Sequence, residues 1–419
     1  MSKSAKSEGG RKAAGAGQLW LRLPGLVGEA LYETVIGVGL ACVAEALEAE
    51  RVALCGARYA HLAGRQALRG GHVASSLVLG GRRVGVRRPR VRSRNGRELK
   101  LPSWAAWSAR DPLTRRAMEQ MLLGVSTRKY ARSLESLAPG LKQRAIGRSA
   151  VSRRFITHTE HKLTQLLSRN LAALELPVLM VDGVHFGAHV VLVAMGIDRQ
   201  GNKRVLGLWE GATENAAACK ALLANLAERG LRTDRAILVV IDGSKALAVA
   251  VRDVFGARAL IQRCREHKKR NVTDALPKPM RNPTRQFLNR AYASGEVERI
   301  AKLLEQQARK FHHAHPGAAA ALREGLEETL TVTRLGVPEQ LQRALCSTNP
   351  IENLFSRVRA IAHRVSRWRD GYMVLRWSAA ALTECQPTFR RIYGWKTMDV
   401  LIRALRAHDA ALDRRALAA

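Results

Sequence analysis

Apolar positions along this chain change period several times. From Leu26 to Leu68 they recur at three- and four-residue spacings, as in Leu31, Val35, Val38, Cys42 and Ala46, which predicts a mostly helical region over 18–76. Residues 77–101 alternate instead. Leu77, Leu79, Val84, Val86 and Val91 are interleaved with Arg82, Arg83, Arg87, Arg88, Arg90, Arg92 and Arg94, with turn signals at Gly80-Gly81 and Asn95-Gly96, so a basic β-ribbon and linker are expected over 77–110. The helical period returns over 111–170 in three pieces, marked by Met118, Met121, Leu122 and Val125, by Tyr130, Leu134 and Leu137, and by Val151, Phe155 and Ile156. Ser126 and Ser149 stand where N-caps would.

Continuous apolar runs begin near Leu176. Val178–Val181, Val190–Met195 and Val205–Trp209 read as three strands, the last two joined by a hairpin turn at Asp198–Asn202. A helix capped at Thr213 follows through Ala216, Leu222, Leu223 and Leu226. Ala236–Ile241 is a fourth strand, Ser244 starts another helix, and Ala259–Ile261 makes a fifth strand. The order β-β-β-α-β-α-β is that of an RNase H-like fold, so the fold class expected is α/β, with such a core beginning in 171–271. Residues 272–346 turn helical and polar after Pro277, Pro279 and Pro283, with helices over 287–311 and 318–330, and read as an all-α insertion. The core resumes over 347–419 with a helix opened by Glu352 and a last helical region from Met373.

This arrangement gives three acids a meaning. The first and fourth strands lie side by side and parallel in such a fold, so Asp182 and Asp242, at their carboxyl ends, come together although far apart in sequence. Gly183 and Gly243 follow them, and a glycine there keeps bulk away from metal and phosphate. With Glu352 they make three carboxylates of the kind that hold Mg²⁺ or Mn²⁺, expected as two ions, at a scissile phosphodiester.

Composition narrows the partner. The 419 residues carry 70 Lys plus Arg against 35 Asp plus Glu, a formal charge of +35, and a polyanion is the natural counterpart. A basic solvated surface, a ribosome-associated protein and a membrane-surface protein are the blander readings. Hydrophobic residues make up 47%, enough for real cores, and two or three domains are expected. Residues 1–17, small, basic and Gly-rich, are expected to be disordered. The six cysteines lack a disulfide-scaffold spacing and no secretory signal opens the chain, so a reducing cytosol is the expected location. The uncharged stretch Thr34–Ala44 is too short to cross a bilayer, and no membrane is expected.

Bland readings compete at single residues. Asp198, Glu210, Glu214, Asp234 and Asp253 suit turns and caps. A Glu opening a helix, as Glu352 does, is unremarkable alone; Arg359 lies two turns on, on the same face, where it either contacts a DNA phosphate or is one more solvated charge. Arg148, Arg153 and Arg154 sit on the last of the 111–167 helices, which suggests a helix-turn-helix reading a DNA end, although any small basic bundle gives that pattern. Cys264 and His267 form one Cys-x-x-His pair without the second pair that structural zinc needs; His312, His313 and His315 are ligands only in principle. Two readings of the pair stand: His267 near the acids, orienting DNA or an acid while Cys264 packs, or a satisfied core pair.

Five ordered stretches carry a resemblance. Trp209–Asn215, Val240–Lys245, Gln262–Val272, Ser347–Asn353 and Arg367–Gly371 are similar to the Mutator-type family of bacterial insertion-sequence transposases, in order across roughly residues 70–390. The resemblance implies a DDE transposase with an RNase H-like core interrupted by a helical insertion, Asp182, Asp242 and Glu352 matching the catalytic positions. Members nick the 3′ ends of their element with water and join them to target DNA. The implied partners are double-stranded DNA, as terminal inverted repeats and target, and a second copy, because two ends must be brought together. A domesticated relative that only binds DNA, or an RNase H-like nuclease or resolvase, are the alternatives; the three intact acids argue against the first, the basic N-terminal segments and long insertion against the second.

Overall fold

In a computed structural model of the chain, residues 16–418 are described apart from 61–63, 66, 80–81, 110–111, 135–142, 145–146, 212–214, 364 and 366. Most of the expected disordered tail, the Gly80-Gly81 turn, Leu137, Thr213 and Glu214 therefore lie outside the described residues. The chain divides into two units, Met1–Ile156 and Thr157–Ala419. It is a mixed α/β protein with two sheets.

The first unit opens on α1 (Ala16–Cys55), followed by β1 (Ala67–Leu79) and β2 (Arg82–Ser93), an antiparallel pair extended by β3 (Glu98–Leu99) and β4 (Gln143–Arg144). The helical reading to residue 76 is corrected here, because the chain is already in strand at Ala67. Gly70-Gly71, which breaks the alternation in the sequence, fits inside the strand as an irregularity: the register shifts between Arg69 and His72, and Gly71 takes a φ of +73°. On β2, Val84 and Val91 are buried while Arg83, Arg87 and Arg92 are exposed; Arg88 and Arg90 pair with Glu98 at 2.8 and 2.6 Å.

Helices α2 (Pro102–Ala109) and α3 (Pro112–Leu122) follow, then a 3-10 turn at Tyr130–Ser133 and α4 (Arg148–Ser168), within which the second unit begins. Of the three helical pieces expected here, the middle one is a 3-10 turn, and part of its connection to α4 lies outside the described residues. Gly124, at φ +88°, follows the end of α3, Ser126 closes a turn onto Lys129, and Ser149 lies inside α4 instead of capping it. Ala117, Tyr130 and Val151 share a small core.

The second unit is built on a five-stranded sheet of β5 (Val178–Phe186), β6 (His189–Ile197), β7 (Lys203–Glu210), β8 (Ile237–Ile241) and β9 (Ala259–Arg263), in the order β7-β6-β5-β8-β9. β5, β6 and β7 are antiparallel, and β8 and β9 run parallel to β5. The turn after β6 closes on Asp198, which accepts from the Gln200 and Asn202 amides. Between β7 and β8 lies α5 (Ala216–Glu228), capped by Asn215, and between β8 and β9 lies α6 (Lys245–Phe255), capped by Ser244 as expected.

After β9 come α7 (Arg265–Asp274), α8 (Lys278–Tyr292), α9 (Val297–Phe311) and α10 (Pro316–Arg323), then short α11 (Thr331–Arg334) and α12 (Glu339–Leu345), and finally α13 (Asn349–Ala362), α14 (Gly371–Cys385) and α15 (Met398–Ala418). The continuous helix read over 287–311 is two, parted near Gly295, whose φ of +84° a helix cannot contain. Val272, Leu288, Ile300, Leu304 and Leu322 give α7–α10 a hydrophobic core of their own.

Strand alternation sorts the sheet residues onto two faces. Leu179, Val181, Leu192, Val239 and Ile241 pack on Leu222, Leu223 and Leu226 of α5 and on Leu247 and Val251 of α6. The opposite face, Val178, Met180, Val193, Met195 and Val240, packs on Leu354, Phe355 and Val358 of α13, Val374 of α14, and Leu401 and Leu405 of α15. Each such side chain removed from water contributes about 1.5–3 kcal/mol, so the C-terminal helices hold the sheet along with the intervening ones. No helix among the described residues is long and apolar enough to cross a membrane.

Candidate active site

Strand register places the first two acids. Val178–Val181 of β5 pair in parallel with Leu238–Ile241 of β8, so the next residue on each strand, Asp182 and Asp242, stands beside the other on the α13 side of the sheet. Asp182 Oδ1 accepts from the Gly183 amide at 2.8 Å and Asp242 Oδ1 from the Ser244 amide at 2.9 Å. The third acid arrives from far downstream. Glu352 lies in the first turn of α13, and the segment leading into that helix is fastened to the start of α7 by the Arg265 amide donating to the Cys346 carbonyl at 2.8 Å.

All three carboxylates line one cavity of about 460 Å³, together with His185, His267, Arg270, Ser356 and Arg359. Arg359 and Glu352 thus open on the same space, as their helical spacing requires. Among the described residues, no group of three or more His, Cys, Asp and Glu side chains is gathered closely enough to hold a metal ion unaided.

Burial is the dominant force on Asp182. Only 6% exposed, its carboxyl is pushed from the usual 3.8 up to about 7, first by desolvation and then by the Asp242 charge, against which the Gly183 N–H and His267 pull. His267 is drawn the other way, to about 9, first by its hydrogen bond with the Cys264 sulfur and further by Asp182 and Glu352, burial opposing. Burial raises the Cys264 thiol, but hydrogen bonds from His267 and Thr348 outweigh it and hold the thiol below its ordinary value. His267 Nε2 lies 3.6 Å from Glu352 Oε1, while Cys264 is wholly buried and accepts from the Thr348 amide at 3.3 Å. His267 therefore stands beside an acid with Cys264 packed beneath it. The three histidines named as ligands in principle lie elsewhere: His312 and His313 pack edge to face on each other, and His315 on Phe311.

Gly243 does something other than clear space for a ligand. A Cβ there would lie 2.2 Å from Arg263 Nε, so the room is filled by a buried arginine whose guanidinium binds Glu324. Outside the cavity, Glu210 binds His189, Asp234 binds Arg232 and Asp253 binds Lys220, consistent with the bland reading of these acids.

Arg148 and Arg153 are exposed at the start of α4, whereas Arg154 is half-buried, a poor posture for contacting a base. Residue patterns missed Arg270, His185 and Ser356. Arg270 follows His267 by one helical turn on α7, a spacing that would have found it; His185 is the one exposed position in the buried run of β5.

Comparison with known sequences identifies the family. Residues 32–391 match the profile of the family described as Transposase, Mutator family. The transposase for insertion sequence element ISRM5 of Rhizobium meliloti is 28% identical over 362 residues, 85% of this chain and 89% of that protein. That for IS1081 of Mycobacterium tuberculosis is 27% identical over 375 residues, 86% of this chain and 87% of its own length. That for IS6120 of Mycolicibacterium smegmatis is 29% identical over 198 residues, covering 46% of this chain and 60% of the relative. With a match spanning most of its length, the chain belongs to the Mutator family of transposases.

Proposed function

We propose that the protein is a DDE transposase that cleaves and joins DNA at the ends of an insertion sequence, using an RNase H-like core and divalent metal. The observation that carries this reading is the convergence of Asp182, Asp242 and Glu352 on one cavity from a strand, a strand end and a distant helix. The strand order β7-β6-β5-β8-β9 supports the core assignment, and the separate hydrophobic core of α7–α10, between β9 and α13, supports a helical insertion.

The donor set fits Mg²⁺ or Mn²⁺. It consists of carboxylate oxygens alone, two of them side by side and one buried where its charge is repelled, an imbalance that a hard cation removes. The lack of a ready-made cage is in keeping, since Mg²⁺ is usually held by one or two carboxylates and by substrate phosphate, with water in its other positions. Bound metal supplies positive charge at the attacking and leaving oxygens of an in-line displacement. The chain does the rest. Asp182, Asp242 and Glu352 hold the metal, His267 keeps Glu352 facing the cavity, and Arg270 and Arg359, on separate walls, bind phosphate oxygens beside the scissile bond. Two copies on DNA, one for each end, complete the arrangement.

Labelled element ends test it. Asp182→Asn, Asp242→Asn and Glu352→Gln are each expected to abolish cleavage and joining while retaining end binding, and the parent is expected to need Mg²⁺ or Mn²⁺. Joining by any of these variants at the parental rate removes that residue from the catalytic set; cleavage in EDTA removes the metal.

A further inference from the structure

Thr348 occupies the N-cap of α13 without capping it. A threonine there ordinarily accepts a hydrogen bond from the first turn of the helix, but its side chain makes none. Wholly buried, the hydroxyl turns toward the end of β9, where Oγ1 lies 3.5 Å from Cys264 Sγ, 3.4 Å from His267 Nδ1 and 3.4 Å from Glu352 Oε1.

The hydroxyl is not needed as a fastener. The segment leading into the helix is already tied to the start of α7 by two backbone donors, Arg265 N–H to the Cys346 carbonyl and Thr348 N–H to Cys264 Sγ. A hydroxyl has one proton and two lone pairs, so it cannot donate to Cys264 and to Glu352 at once. At these lengths none of the three contacts is a full-strength bond, and the proton is free to go where the best acceptor is. His267, whose ring also bonds the Cys264 sulfur, can donate Nδ1–H to Oγ1 while Oγ1–H donates to Glu352 Oε1, the same oxygen that His267 Nε2 faces at 3.6 Å.

We infer that Thr348 is the positioning residue for Glu352, its hydroxyl passing the orientation of His267 to the carboxylate and holding Oε1 toward the cavity. This rests on the reading of Glu352 as a metal-holding acid. Residues that orient ligands through hydrogen bonds commonly change metal affinity by 10–100-fold when removed.

Two measurements separate the inference from that reading. In the metal-free protein, thermal unfolding of Thr348→Val, Glu352→Ala and the double variant forms a cycle that isolates their coupling. The Tm lost on Thr348→Val is expected to shrink in the Glu352→Ala background, and strictly additive losses would overturn the inference. Thermal shift across a Mn²⁺ titration is the second. The half-saturating concentration is expected to rise about tenfold in Thr348→Val and to return near the parental value in Thr348→Ser, which keeps the hydroxyl. An unchanged midpoint in the valine variant overturns the inference. A parent that shows no shift with Mn²⁺ either alone or with element-end DNA bound overturns the metal reading instead, and the cycle alone then judges Thr348. Should the valine variant not fold, Thr348→Ala carries both comparisons.

Discussion

Arg263 fills the space that a side chain on Gly243 would need: a Cβ at position 243 would lie 2.2 Å from its Nε and 2.8 Å from its Cζ. Gly243 also has a φ of +115°, where a residue with a Cβ is strained by about 1–3 kcal/mol. Gly243→Ala should therefore lower the apparent Tm by roughly 5 °C and shift the neighbouring Asp242, so that joining suffers with folding. Unchanged Tm and joining in this variant would show that Arg263 yields without cost.

Asp182 makes stability depend on pH. Its folded pKa, about 7, lies above the 3.8 of an ordinary aspartate. Below the lower value the group is protonated in both folded and unfolded chains and no penalty exists; between the two the folded state binds more protons, so stability falls as pH rises, and above 7 the full penalty stands. Asp182→Asn should then be more stable than the parent at pH 8, by on the order of a few kcal/mol, with the gap closing toward pH 4. Denaturation curves at both pH values decide it, and a constant gap would mean the carboxylate is ionised without cost.

Arg270 and Arg359 line the cavity with no acid partner among the described residues. Alanine at either should weaken DNA binding and reduce the slope of log affinity against log salt by about 1, the signature of one lost phosphate contact. Arg359→Lys should recover part of the loss, because a point charge still attracts phosphate. A slope identical to the parent's returns the residue to the solvated surface.

Two basic elements compete for recognition of the element ends. If α4 reads sequence, replacing Arg148, Arg153 and Arg154 by alanine should erase the preference for ends over random duplex, each good base contact contributing ~1–3 kcal/mol of discrimination. Binding titrations on both duplexes measure it. Preference retained in the triple variant but lost on removing the exposed Arg83, Arg87 and Arg92 would move the reading to the ribbon.

The sheet was readable because its strands are buried on both faces. Val178–Val181 and Ile237–Ile241 are continuous apolar runs, and their alignment follows from the crossover between parallel strands. What lay beyond was tertiary. The approach of Glu352 to His267 depends on a backbone bond between Arg265 and Cys346 that no periodicity announces. Arg263 gave no sign of its place between Gly243 and Gly325, since a buried cation looks in sequence like any surface one. The ribbon begins earlier than the alternation of 77–101 predicts, because β1 absorbs Gly70-Gly71 at a register shift.

The split of the sheet's two faces between early and late helices has a consequence for synthesis on the ribosome. Helices α5 and α6 emerge among the strands and can cover one face at once, whereas α13–α15, which together with Leu163 and Leu166 of α4 cover the other, are the last to leave the tunnel. A nascent or truncated chain therefore carries Asp182 and Asp242 beside an open, adhesive sheet with no Glu352. Arrival of Glu352 in the cavity and concealment of that surface are one event, so on the proposed function an unfinished polypeptide meets chaperones and proteases before it can act on DNA.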